Sequence, residues 1–131
     1  MYQIEHLNKI KVPTEKVFGA ITTKEGLSAI WTPKLKVEPI LGHVNEFDFD
    51  EGYVTKMKVI ELKESQHVAW HCVASDNEWL DTIVRFDIRV KNNSTEIILT
   101  HSNWREVTDY YRWCNYHWGM FLYRLKNYCE K

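Results

Sequence analysis

The sequence predicts an α+β domain in which a curved antiparallel sheet of about six to seven strands wraps one long C-terminal helix. Three observations carry this. Apolar residues alternate with a period of two from Lys36 to Ser102. The segment that follows repeats its apolar residues at three- and four-residue steps. Strands so consistently apolar on one face need a cover, and this last helix is the only element long enough to supply it. At 131 residues, with no linker composition and no internal repeat, residues 1–131 read as a single domain with one core.

The first ten residues read as a strand with Ile4, Ile10 and Val12 on one face and Gln3, Glu5, Lys9 and Lys11 on the other. His6 and Asn8 fall on the apolar face, and Leu7 breaks the alternation. Pro13 then opens a helix, where its missing N–H costs nothing. Val17, Phe18 and Ile21 form its apolar stripe, and Thr22 and Thr23 end it. A second short helix over residues 24–30 puts Leu27, Ile30 and Trp31 on one side and stops before Pro33.

Within the sheet region, Phe47 and Phe49 alternate with acidic residues, and Glu51-Gly52 turns the chain. Thr55, Met57 and Val59 oppose Lys56 and Lys58, and Val68, Trp70 and Cys72 oppose Ala69 and His71. Leu80, Thr82, Val84, Phe86, Ile88 and Val90 make the cleanest alternation in the chain and face in, with Asp81, Arg85, Asp87 and Arg89 facing out. Asn92-Asn93 marks a hairpin, because asparagine tolerates positive φ. Ile97, Leu99 and His101 then point inward. Asn103, followed three residues later by Glu106, approaches a capping-box pattern and predicts the start of the long helix there. Val107, Tyr111, Cys114, Trp118, Phe121, Leu122 and Leu125 form its stripe, which runs to about Tyr128.

Composition limits function. Lys plus Arg total 17 against 18 Asp plus Glu, a net charge of −1, so there is no basic stripe for nucleic acid. No segment approaches the ~18 apolar residues of a membrane span. Cys72, Cys114 and Cys129 have no CxxC spacing, and the last two lie some 22 Å apart along one helix at about 1.5 Å per residue. Free thiols, and a beginning unlike a signal peptide, point to the reducing cytoplasm. Aromatic residues make up 14% of the chain, six of them tryptophan, enough to wall a wide interior.

The segments PTEKVFGAITTKEGLSAIWTP, VAWHCV, EWLDTIVRFDI and TEIILTHSNW, with the closing WGMFLYRLKNYCE, resemble the helix-grip (START-like, SRPBCC) superfamily. Within it they are similar to the subfamily that includes the activator of the heat-shock protein ninety ATPase. The likeness runs over nearly the whole chain. It implies one START-like domain whose site, as in most such proteins, is the cavity between sheet and long helix. Superfamily members include lipid carriers, hormone receptors, cyclases and dehydratases, so the resemblance implies a site more than a reaction.

The leading expectation is binding of a small hydrophobic or amphipathic ligand in that cavity. Trp31, Met57, Trp70, Trp79, Phe86, Trp104, Trp118 and Phe121 would form its walls, with His101 as the polar anchor. The alternatives are a cyclase- or hydrolase-like enzyme, using His101 with His6 or Tyr111 for proton transfer, and a co-chaperone-like interaction module. The latter would present Tyr110 and Trp113 at a partner or homodimer surface. No metal or cofactor is expected. His67 and His71 would stand about 13 Å apart on a strand, too far for one zinc. Cys114, His117 and His101 are the nearest approach to a metal set, and the glycines are scattered rather than gathered in a phosphate loop. Glu78 with Asp81, and the acidic turn from Glu46 to Glu51, read as solvated faces.

Overall fold

The computed structural model describes residues 1–131. In chain order it contains β1 (Tyr2–Ile10), α1 (Thr14–Thr22), α2 (Lys24–Ile30), β2 (Leu35–Lys36), β3 (Val44–Asp48), β4 (Val54–Lys63), β5 (His67–Ala74), β6 (Ile83–Lys91), β7 (Ser94–Trp104) and α3 (Asp109–Cys129). The seven strands form one antiparallel sheet in the order β1-β7-β6-β5-β4-β3-β2, so the first strand closes against the last. This is the helix-grip α+β architecture. No helix is long and apolar enough to cross a membrane.

The inner faces of the strands meet α3 in a continuous core of 27 buried residues. Phe47, Trp70, Phe86, Ile97, Leu99, Phe121 and Leu125 are all within 1% of complete burial. Each such side chain contributes roughly 1.5–3 kcal/mol on leaving water. α3 is tied to β1 by polar groups as well. The Tyr111 hydroxyl donates to the Gln3 carbonyl at 2.8 Å, Asn8 Nδ2 donates to the Leu122 carbonyl at 3.1 Å, and His6 Nε2 lies 3.0 Å from Asn115 Oδ1. The polar residues that interrupt the inner face of β1 are therefore the ones that seat the helix. His6 and Tyr111 are spent there, and neither hydrogen-bonds to His101.

The two short helices are joined without a loop. Thr23 hydroxyl donates to the Gly19 carbonyl at 2.7 Å and accepts from Gly26 N–H at 3.2 Å, closing α1 and capping α2 with one side chain. Gly26 is required by packing. A Cβ at this position would stand 2.2 Å from the Ala20 carbonyl oxygen, and backbone cannot yield as a side chain would.

Four local expectations are corrected. First, β6 begins at Ile83, not Leu80, because the preceding residues fold into a turn. Asp76 Oδ1 accepts from Glu78 N–H and Trp79 N–H at 2.8 and 3.1 Å, and Asp81 takes φ 67°. The turn drives Trp79 inward and leaves Leu80 partly exposed, and at the other end of the same alternation Val90, beside the Asn92-Asn93 turn, is 72% exposed rather than inward. Second, Ala69 is buried, though its alternation places it outside. It pairs with Glu61 on one side and Arg85 on the other, and those two close over it with a 2.8 Å ion pair.

Third, α3 is capped five residues later than the Asn103 pattern suggests. β7 runs on to Trp104 with Asn103 at φ 69°, and Thr108 is the actual cap, accepting from Tyr111 N–H at 3.1 Å. Val107 therefore precedes the helix and is exposed. Fourth, Tyr110 is half-buried rather than presented to solvent, and its hydroxyl donates to Asp76 Oδ2 at 3.0 Å. By contrast the Asn92-Asn93 hairpin forms as expected, with φ of 50° and 62°.

Candidate functional site

The aromatic residues of the inner face pack as one connected block. Trp70 lies 5.3 Å from Phe86 and 5.8 Å from Phe47, and Phe86 lies 5.8 Å from Phe121 (ring centroids). Trp31, at the C-terminal end of α2, bridges this block to α3 at 5.4 Å from Trp118 and 5.5 Å from Phe121. These contacts are edge-on or tilted, while Trp31 stacks on Trp70 at 6.1 Å, and such mixed ring geometry lets the block reach crystal-like density.

Beneath the block runs a hydrogen-bonded chain that fixes His101. Trp118 Nε1–H donates to His101 Nδ1 at 2.9 Å, and His101 Nε2 lies 2.8 Å from Thr82 Oγ1. The Thr82 hydroxyl has already given its proton to the Trp79 carbonyl at 2.6 Å, so its oxygen must accept from the histidine. The proton thus sits on Nε2, and the ring is neutral. Burial pushes the pKa of His101 from 6.5 down to about 3. With 0% exposure and both nitrogens engaged, His101 has nothing left with which to anchor a ligand or move a proton. It is a buried structural histidine, which also removes it from any metal set with Cys114 and His117. No group of three or more His, Cys, Asp or Glu is placed to hold a metal ion.

A cleft of about 260 Å³ opens where α3 meets the β3–β4 turn and the β5–β6 connection. Of the nine residues expected to line a site, it brings together Trp31, Trp79, Trp118 and Phe121. Met57, Trp70, Phe86 and His101 lie behind that floor as packing, each 1% exposed or less. Trp104 belongs elsewhere. It borders a separate hollow of about 340 Å³ with Glu78, Arg105 and Glu106, and its indole N–H has no partner. The expected hollow is therefore mostly filled, because indole and phenyl rings from both sides interlock. Only its outer end remains open.

That outer end holds residues the sequence reading missed. Phe49, Cys114 and Tyr110 continue the aromatic and apolar wall, and Trp113, 59% exposed, stands at the mouth against His117 at 4.2 Å. Trp113 was expected to point away from the hollow; its ring edges the opening instead. The polar lining is Glu51, Tyr53, Thr55, Ser75, His117 and Arg124. Tyr53 hydroxyl donates to Glu51 Oε2 at 3.0 Å, and burial beside Glu51 and Asp76 pushes its pKa up to about 12. Burial likewise raises the Cys114 thiol to about 11, and its sulfur accepts from Trp79 Nε1–H at 3.3 Å. A thiol so held is not a nucleophile. One signal for these residues was present in the sequence. Tyr110, Trp113, His117 and Arg124 recur at three, four and seven residues, a second stripe beside the core stripe of α3.

The model of the family described as "Activator of Hsp90 ATPase homolog 1-like protein" matches residues 11–130. The chain belongs to this family. The Aha1 protein from Colwellia psychrerythraea, solved in solution as a dimer, superimposes with a TM-score of 0.91 at 34% identity, over 99% of this chain and 97% of that one. A Mesorhizobium loti protein superimposes at 0.85 with 20% identity, covering 96% and 95% of the two chains. A Bacillus halodurans protein does so at 0.82 with 17% identity, covering 100% and 98%. At those lower identities the likeness concerns the fold. No curated protein matches the sequence. In this Aha1-like chain the hollow between sheet and helix is closed by Trp70, Phe86 and His101 and open beside Trp113.

Proposed function

We propose that this Aha1-like chain binds a small apolar or amphipathic molecule in the cleft beside α3. The observation that carries this reading is the opening itself: about 260 Å³ floored by Trp31, Trp79, Trp118 and Phe121, with polar groups at its mouth. Ligand sites are mostly apolar concavities with a few placed polar groups, commonly about 300–1,000 Å³, so this cleft suits a compact molecule. Rings held by mutual packing cannot collapse to close it, and covering them removes apolar surface from water. An acid–base reaction finds less support, since His101 is enclosed and Cys114 is held as a thiol. The three buried free cysteines favour residence in the reducing cytoplasm.

Titration with a neutral fluorescent probe, N-phenyl-1-naphthylamine, is expected to saturate at one site per chain. Ser75→Trp places an indole in the cleft, since Ser75 lines it, and is expected to abolish probe binding while leaving thermal unfolding within a few degrees of wild type. Absence of saturable binding, or equal binding by the Ser75→Trp variant, would count against the cleft.

A second reading concerns assembly. The Colwellia Aha1 protein is a dimer, and on α3 of this chain Trp113, Tyr116 and Tyr123 are 59%, 64% and 63% exposed. Large aromatic residues of this kind are enriched at protein interfaces. We infer that two copies associate through this side of α3. Sedimentation equilibrium is expected to report a dimer that Tyr116→Glu with Tyr123→Glu converts to monomer. A wild-type monomer at all concentrations would end this reading.

A further inference from the structure

The polar groups around the cleft divide into those already satisfied and those that are not. The Tyr53 and Tyr110 hydroxyls are taken up by Glu51 and Asp76, and Thr55 and Ser75 share a hydrogen bond of 3.0 Å. The Trp79 and Trp118 indoles are held by Cys114 and His101. Two lining groups on α3 stand apart. His117 Nε2 is buried without a hydrogen-bond partner, and Arg124 enters neither an ion pair nor a hydrogen bond within the chain.

These two residues are seven apart, two helical turns, so they share one azimuth about 10 Å apart along the axis. Both residues line the cleft, and because helical side chains lean toward the N-terminus, the long Arg124 side chain can reach back over the intervening turn toward His117. An unpartnered buried ring nitrogen costs roughly 1–3 kcal/mol, and an oxygen acceptor in the cleft would recover it. The guanidinium presents a planar fork of donors suited to a carboxylate. Glu51, the lining carboxylate, is turned to the Tyr53 hydroxyl and forms no ion pair with Arg124.

We propose that the ligand is an apolar monocarboxylate, its hydrophobic body against Trp31, Trp79 and Trp118 and its carboxylate received by Arg124 and His117. This rests on the ligand-binding reading above and adds the chemical class. One carboxylate oxygen accepts from Arg124 and the other from His117 Nε2–H. A cationic head group finds no free acceptor on the α3 wall.

The test uses three probes of one shape: 2-naphthoate, 2-naphthamide and 2-(aminomethyl)naphthalene, titrated calorimetrically into the full chain. Naphthoate is expected to bind about tenfold more tightly than the amide, the scale of a charge-assisted hydrogen bond. The ammonium probe is expected to bind most weakly. Arg124→Gln should erase the preference for naphthoate, and His117→Leu should weaken naphthoate severalfold, each with a smaller loss for the amide, whose single carbonyl oxygen accepts without charge assistance. Arg124 is exposed, so its replacement leaves the core intact. Equal binding of naphthoate and amide, tightest binding of the ammonium probe, or parallel losses in Arg124→Gln would overturn the carboxylate assignment and leave the cleft standing. Failure of all three probes would remove both.

Discussion

Acidification from pH 6.5 to about 3 is expected to remove about 4 kcal/mol of folding stability through His101 alone. Burial holds its folded pKa at about 3, against 6.5 in the unfolded chain. Between those values the unfolded chain binds a proton that the native state refuses. Stability is therefore complete above about pH 6.5 and declines by about 1.4 kcal/mol per pH unit as the pH falls toward 3. The structural cause is the absence of any site for a second ring proton. Nδ1 already accepts from Trp118, and the nearest partner of Nε2 is a hydroxyl rather than a carboxylate.

Urea unfolding of wild type and His101→Gln at several pH values between 7.5 and 4.5 isolates this contribution, because other titrating groups are common to both. Glutamine can hydrogen-bond but does not titrate. The variant is expected to be less stable at pH 7.5 and to lose less on acidification, the two curves converging toward pH 4. Parallel curves would show that His101 is not the residue being protonated.

The second large effect belongs to Trp118. Its replacement by alanine is expected to destabilise the fold by at least about 4 kcal/mol. Truncating a buried large aromatic residue costs about 3–5 kcal/mol on its own, and the change also leaves His101 Nδ1 without its donor, which costs about 1–3 kcal/mol more unless water enters. Trp118→Phe separates the two contributions, since it keeps most of the buried area and loses only the N–H. It should cost about 1–2 kcal/mol, and its effect should largely vanish in a His101→Leu background, where there is no acceptor to strand. Urea midpoints for the four proteins measure this directly. Additive effects would mean that the 2.9 Å contact between the two residues contributes nothing.

The period-two run and the α3 stripe make the architecture legible in the sequence, because each pattern reflects which face of an element is dry. Ile97, Leu99 and His101, read as inward, are all buried to 0% exposure. The failures were local competitions. The Asp76 side chain captured two backbone N–H groups and turned the chain ahead of Ile83, defeating the alternation at Leu80. Ala69 was buried by partners on neighbouring strands, which its own strand could not announce. At the site, residue type identified aromatic walls but not which rings would touch each other and which would face the opening.

The sequence by itself determined a sheet gripping a helix, its inner faces and its membership of an Aha1-like family, since periodicity and motif are properties of the chain. Tertiary structure alone decided that the aromatic hollow is largely filled, with a cleft only at its outer end. That outcome depends on the distances between rings brought together from five elements and the segments joining them. The same holds for His101. Its inward position was legible, but its role turned on whether Trp118 and Thr82 lay within hydrogen-bond reach, and they do, at 2.9 and 2.8 Å.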